Sequence, residues 1–166
     1  MNIRTIVVNA LLAGIYIAMT AFVLPISFYQ LQFRISEILN HLVVFDRRYF
    51  FGIVVGVFLT NLFFSPLGAY EFIFGLSHTA ISLAITIYLG RFIKNKLVLM
   101  GINTVVFSFN MFLIAYMLKL AGEMGDQVFA MLWLFLASEE FIVMGVGAFI
   151  MYVIHKRINF KRILET

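Results

Sequence analysis

Arg34, Glu37 and Asn40 follow one another three residues apart, a spacing that on a helix puts a cation, a carboxylate and a carboxamide on one face. The stripe has two readings. An arginine and a glutamate three apart make a local ion pair that pins a helix end, whereas the asparagine one turn further extends the pair into a wall that faces one way and can line a binding site. Glu139 and Glu140 stand about a dozen residues inside the last apolar run. A charge at the centre of a membrane helix costs about 2.5–3.5 kcal/mol on insertion scales, so such residues mark a polar interior, a pathway or a site. Glu37 and Glu71 lie near the ends of two other runs, with Gln30, Gln32, Ser36, His41, His78 and Ser138 as polar company. Asn61 and Asn110 read either as site contacts or as bonds between helices.

The chemistry that is absent narrows the function. No GxxxxGK[ST] phosphate loop occurs, so ATP hydrolysis is not expected of this chain. Gly75-Leu76-Ser77-His78-Thr79 is not a GxSxG nucleophile elbow, and a serine adjacent to a histidine on one helix projects about 100° away from it. His41 and His78 lack partners at metal-ligand spacing and read as packed or helix-bonding histidines. Paired carboxylates can do acid–base work, but no nucleophile, metal set or phosphate cradle accompanies them. An enzyme is not expected, and neither is a cofactor.

The elements that must carry these residues belong in a bilayer. Of the 166 residues 63% are hydrophobic and only 12% charged, and the mean hydropathy is +1.04; soluble domains average about a quarter charged residues. Six apolar spans of about 20 residues use about 120 residues, which leaves short loops and no room for a separate soluble domain. The expected spans are about 5–24, 35–45, 49–64, 70–92, 97–118 and 128–154, the second and third being short. Pro25 ends the first, Ser65-Pro66-Leu67-Gly68 reads as a turn, and a basic tail follows the last. With the N-terminus in the cytoplasm, ten of the twelve lysines and arginines fall on the inner side, leaving Arg34 and Lys119 outside. That bias places both termini inside. The basic clusters then serve as topology signals that also touch anionic lipid, and the net charge of +4 calls for no nucleic acid. Glu123 and Asp126 sit in an acidic, glycine-bearing loop on the opposite, outer side.

Small residues recur at Ala10, Gly14 and Ala18, with Ala13 and Ala21 on an adjacent line, and at Gly52, Gly56 and Thr60. Such faces permit close helix approach, within the chain or against another protein.

Phe33-Arg34-Ile35-Ser36-Glu37, the Gly52–Gly56 run leading to Asn61, and Ser65-Pro66-Leu67-Gly68 followed by Glu71 and Gly75 together resemble the QueT family. These are substrate-capture (S) components of energy-coupling factor (ECF) transporters, associated with queuosine precursors. The resemblance covers about residues 5–90 plus an acid in the last span. It departs at Glu71, where aspartate is the family expectation, and at the Glu139–Glu140 doublet, where one acid is expected. It implies an all-α bundle of six transmembrane helices in a bacterial cell membrane, with a ligand pocket near the outer face. It also implies a transmembrane coupling subunit, docked on the Ala10, Gly14, Ala18 face, and two ATPase subunits on other chains. For a 7-deazaguanine ligand, cyano or aminomethyl, Glu71 or the 139/140 pair would take the ring-edge N–H donors. A second acid would take the amine. Arg34 would orient Glu37 or donate to the carbonyl, with Asn40, Asn61 and Asn110 as further contacts and Phe33, Tyr70 and Trp133 as stacking partners.

Three rival readings stand beside this one: the same machine with another vitamin or nucleobase, a non-transporting membrane assembly protein, and an unassisted proton-coupled carrier.

Overall fold

The computed structural model describes residues 2–24, 27, 33–125 and 128–165. The helix stop at Pro25, the polar neighbours Gln30 and Gln32, and Asp126 of the acidic loop lie outside them. Every regular element among the described residues is a helix: α1 (Ile3–Phe22), a 3₁₀ segment (Ile35–His41) running into α2 (Leu42–Phe45), and a 3₁₀ turn (Arg47–Tyr49) running into α3 (Phe50–Phe64). α4 (Ala69–Leu89), α5 (Lys96–Asn110), α6 (Phe112–Leu120), α7 (Phe129–Ile158) and α8 (Phe160–Glu165) follow. Among the described residues, five helical stretches are long and apolar enough to cross a membrane, with α5 and α6 forming one of them, and Ile35–Phe45 is a shorter apolar piece. Phe22, Phe51, Phe109, Ile142 and Phe149 point outward around the bundle, as lipid-facing side chains do. The chain is a multi-pass membrane helical bundle.

Close packing of α1 on α3 holds one side together. Asn9 Oδ1 accepts from the Gly52 backbone N–H at 2.6 Å, which occupies a donor in the first turn of α3. A Cβ on Gly52 would sit 2.7 Å from Asn9 Oδ1, and one on Gly56 2.8 Å from Tyr16 Cβ. The Gly52–Gly56 face is therefore spent inside the chain, against Asn9, Ala13 and Tyr16. Ala10, Gly14 and Ala18 lie on the other side of α1, where with Val7, Leu11 and Ile15 they line an open apolar groove of about 510 Å³.

The turn between α3 and α4 forms as expected. Gly68 has φ +55° and ψ −119°, a conformation closed to residues with a Cβ. α6 ends in a Schellman arrangement: Glu123 N–H reaches Leu118 O at 2.9 Å, Gly122 N–H reaches Lys119 O at 3.3 Å, and Gly122 has φ +77°.

One expectation needs correction, and two others gain detail. The segment 35–45 is not an α-helical span but seven residues of 3₁₀ helix followed by one α-turn. Its side-chain bonds to α7 and α5, described below, override the α geometry. The span 97–118 breaks at Met111, directly after Asn110 turns its side chain to α4. The basic tail is ordered. Asn159 adopts a left-handed conformation (φ 50°) and reverses the chain, and α8 returns Phe160 and Leu164 into the core. Tyr49 Oη donates to Phe160 O at 2.7 Å, Arg4 Nε to Ile163 O at 2.7 Å and Arg48 Nη1 to Leu164 O at 3.4 Å. The basic clusters of the sequence thus gather at one end of the bundle, opposite the turn between α3 and α4.

Candidate functional site

Arg34 precedes the 3₁₀ segment in an extended conformation, φ −110° and ψ 96°. Its guanidinium is buried, donating from Nε to Ser27 O at 3.2 Å and lying with Nη2 3.6 Å from Glu71 Oε1. Glu71 occupies the first turn of α4 and is fully buried. Asn61, in the last turn of α3, donates from Nδ2 to the Glu71 backbone carbonyl at 3.1 Å, so the turn between α3 and α4 is closed by a residue that also borders the ion pair. Gly75 makes the approach possible. A Cβ there would stand 2.8 Å from Asn61 Nδ2 and 3.7 Å from Arg34 Nη1.

The 3₁₀ geometry arranges the other acids. With three residues per turn, side chains at i and i+3 eclipse one another, and Asn40 Nδ2 donates to Glu37 Oε2 at 3.0 Å. Glu140 on α7 brings its carboxyl beside that of Glu37. α7 comes this close because Gly147 faces Ile38, where a Cβ would meet the Ile38 side chain at 2.7 Å. Glu140 is buried, whereas Glu139 is half-buried on the neighbouring face of the helix.

Not every expected residue joins this group. Asn110 is buried, but its Nδ2 donates to Ser82 Oγ at 2.9 Å, a bond from α5 to α4. Tyr70 is 44% exposed on the outer surface, and Trp133 packs edge-on to Phe109, donating from Nε1 to Phe109 O at 3.0 Å. The two histidines bond helix to helix. His41 donates from Nε2 to Met144 O at 2.8 Å and accepts at Nδ1 from Asn103 at 3.2 Å. His78 donates to Phe107 O at 3.1 Å. Asn103 continues the thread, accepting from Thr86 Oγ1 at 2.6 Å.

Tyr16 is the residue that the motifs do not single out. It is fully buried on α1 and lies within electrostatic reach of Glu37, Arg34 and Glu140. A signal for it exists: Thr5, Asn9, Tyr16 and Thr20 form one buried polar line on an otherwise apolar helix, at the three-to-four spacing of a helix face.

The assembled group has one guanidinium, three carboxyls, two carboxamides and a phenol, buried in an apolar bundle. Asn40 Oδ1, Asn61 Oδ1 and Glu140 Oε1 are buried acceptors with no hydrogen-bond partner among the described residues. Buried polar groups are as a rule satisfied. One cation among three carboxyls favours a ligand that brings N–H donors or positive charge.

The QueT transporter family model matches residues 6–156. The chain is 32% identical to the queuosine precursor transporter QueT of Lactococcus lactis subsp. cremoris (strain MG1363) over 166 aligned positions, covering 95% of each chain. No solved structure matches it. The helical bundle and the family match agree, and the chain belongs to the QueT transporter family.

Proposed function

We propose that this protein captures a queuosine precursor, a 7-deazaguanine in its cyano or aminomethyl form, at the Arg34–Glu37–Glu71–Glu140 group. The observation that carries this reading is the buried excess of acceptors over cations at one end of an apolar bundle. A guanine-like edge presents adjacent N–H donors that a carboxylate accepts in parallel, and an aminomethyl substituent adds a cation. Glu140 serves the ring edge and Glu37, which it already contacts, takes the amine. Arg34 donates to the ring carbonyl and keeps Glu71 in place. Asn40 and Asn61 supply the remaining contacts. Asn110 and Glu139 stand outside this set.

In the same reading the protein is the S component of an ECF-type importer, with six spans in a bacterial cell membrane and both termini in the cytoplasm. The exposed Ala10, Gly14, Ala18 groove, which no described residue fills, docks the coupling subunit, and ATP is hydrolysed by two further subunits. The ligand end then faces outward and the basic end inward, as the positive-inside bias requires. Equilibrium binding of both precursors to detergent-purified protein tests the proposal. Saturable binding resisting competition by guanine and riboflavin supports it; a folded, monodisperse sample that binds neither precursor refutes it.

A further inference from the structure

At the end of the molecule remote from Arg34 and Glu71, a cleft of about 450 Å³ opens between α2, α4 and the start of α5, with Arg47, Arg91 and Lys96 in its wall. Asp46 and Arg48 line it too, but they neutralise each other: Arg48 donates to the Asp46 carboxylate from Nε at 3.0 Å and from Nη2 at 2.8 Å. Lys96 Nζ donates to Val44 O and retains two further donors. Arg47 is exposed and Arg91 is exposed with its guanidinium 5.7 Å from the centre of the Tyr88 ring. The cleft therefore carries a surplus of positive charge.

A second depression of about 410 Å³ adjoins the first and shares Arg47, Arg48, Ile87 and Arg91 with it. Its remaining wall is Phe50, Phe51, Ala84 and Tyr88, carried on the outward faces of α3 and α4, the lipid side of two membrane-crossing helices. A cationic cleft that continues into an apolar groove running up the bilayer face matches one kind of molecule. A soluble anion would use the cleft and leave the groove bare, and an acidic protein segment would have no use for a groove turned to lipid.

We propose that this end of the protein is a binding site for one anionic phospholipid, whose phosphodiester sits in the cleft at Arg47, Arg91 and Lys96 while an acyl chain lies in the groove between α3 and α4. Basic residues near a membrane surface attract anionic headgroups by charge alone; the groove adds a fixed place for the chain. Tyr88 joins the two halves, with Arg91 above its ring and its side chain in the groove.

The test is native mass spectrometry and lipid titration of the full-length protein in detergent, with phosphatidylglycerol, phosphatidylcholine and free glycerol 3-phosphate as probes. Three preparations are compared: wild type, R47Q/R91Q at exposed positions, and A84F, which fills the groove from an exposed position and leaves the core alone. The expected result has three parts. Phosphatidylglycerol is retained at least tenfold more tightly than phosphatidylcholine. R47Q/R91Q abolishes that preference. A84F weakens both lipids while leaving glycerol 3-phosphate binding unchanged. Equal retention of the two lipids, or a preference untouched by R47Q/R91Q, overturns the proposal. Glycerol 3-phosphate competing as well as phosphatidylglycerol, with A84F inert, assigns the cleft to a soluble anion and also overturns it. Gel filtration of each variant confirms a folded sample, and the surface pair R47Q/R91Q keeps the test decisive if A84F does not fold.

Discussion

Arg34 Nη2 lies 3.6 Å from Glu71 Oε1, and both side chains are shut away from solvent. The pair ties the entrance of the 3₁₀ segment to the first turn of α4, across 37 residues of sequence, and puts the only guanidinium of the acidic group beside an acid that its own segment does not supply. Breaking a buried pair from one side leaves an uncompensated charge, which costs about 3–5 kcal/mol, whereas removing both partners costs much less. R34Q and E71Q are each expected to lower the thermal stability of the purified protein by more than the double variant does. Additive losses in that cycle would show that the two residues act separately.

G75A introduces a Cβ 2.8 Å from Asn61 Nδ2. Because Asn61 is held by the Glu71 carbonyl, it cannot swing aside without opening the turn. Overpacking of this kind costs about 1–3 kcal/mol, and precursor affinity is expected to fall at least tenfold in folded protein. Calorimetry on G75A beside G101A, where a Cβ has open space, separates the effect from a general loss of helix packing.

The glutamate doublet divides by burial. E140Q removes the carboxylate that contacts Glu37 and is expected to weaken precursor binding by tenfold or more; E139Q, on the half-buried face, is expected to change it by less than threefold. Equal effects of the two substitutions in a binding titration would contradict the assignment of Glu140 to the ligand.

Asp46 offers a pH test at the opposite end. Burial works to raise its pKa, but the hydrogen bonds from the Arg48 side chain and backbone, with the Arg48 charge, outweigh it and hold the carboxyl below its ordinary value of 3.8. A depressed pKa means that Asp46 stabilises the fold in full above that value, and the contribution fades as pH falls through the lower, folded-state pKa. Arg48 is partly exposed, so the gain is small, about 1 kcal/mol or less. The stability gap between wild type and D46N is expected to be constant from about pH 7 to pH 5 and to close below about pH 4. Thermal unfolding across that range checks it.

Much of the architecture was legible because apolar runs of membrane length leave few alternatives. α1, α3, α4 and α7 lie within a few residues of the expected spans. Arg34, Glu37, Asn40, Asn61, Glu71 and Glu140 also come together, and the three-residue spacing shows in the Asn40–Glu37 bond, but two pairings are ones that no local spacing reveals. Arg34 meets Glu71 through a turn and a glycine, and Glu37 meets Glu140 across two elements. The 3₁₀ form of Ile35–His41 was hidden for the same reason: it follows from His41 bonding to Met144 and Asn103, contacts 103 and 62 residues away. Of the two readings of Asn110, the structure shows the helix-to-helix bond; a buried asparagine looks alike in sequence whether it meets a ligand or a neighbouring serine. α8 reads in sequence as a charged tail, although Phe160 and Leu164 are four apart and Asn159 is a residue type that readily reverses a helix.

A capture site at the Arg34–Glu37–Glu71–Glu140 group must lose its precursor when either Arg34 or Glu140 is altered. The most direct measurement is the Kd of the aminomethyl and cyano 7-deazaguanines for purified wild type, R34Q and E140Q, with guanine and riboflavin as competitors. Saturable binding to wild type, poor displacement by both competitors, and at least tenfold weaker binding to each folded variant are expected. Binding of either precursor that survives unchanged in both variants, or no binding to folded wild type, would contradict this assignment of the site.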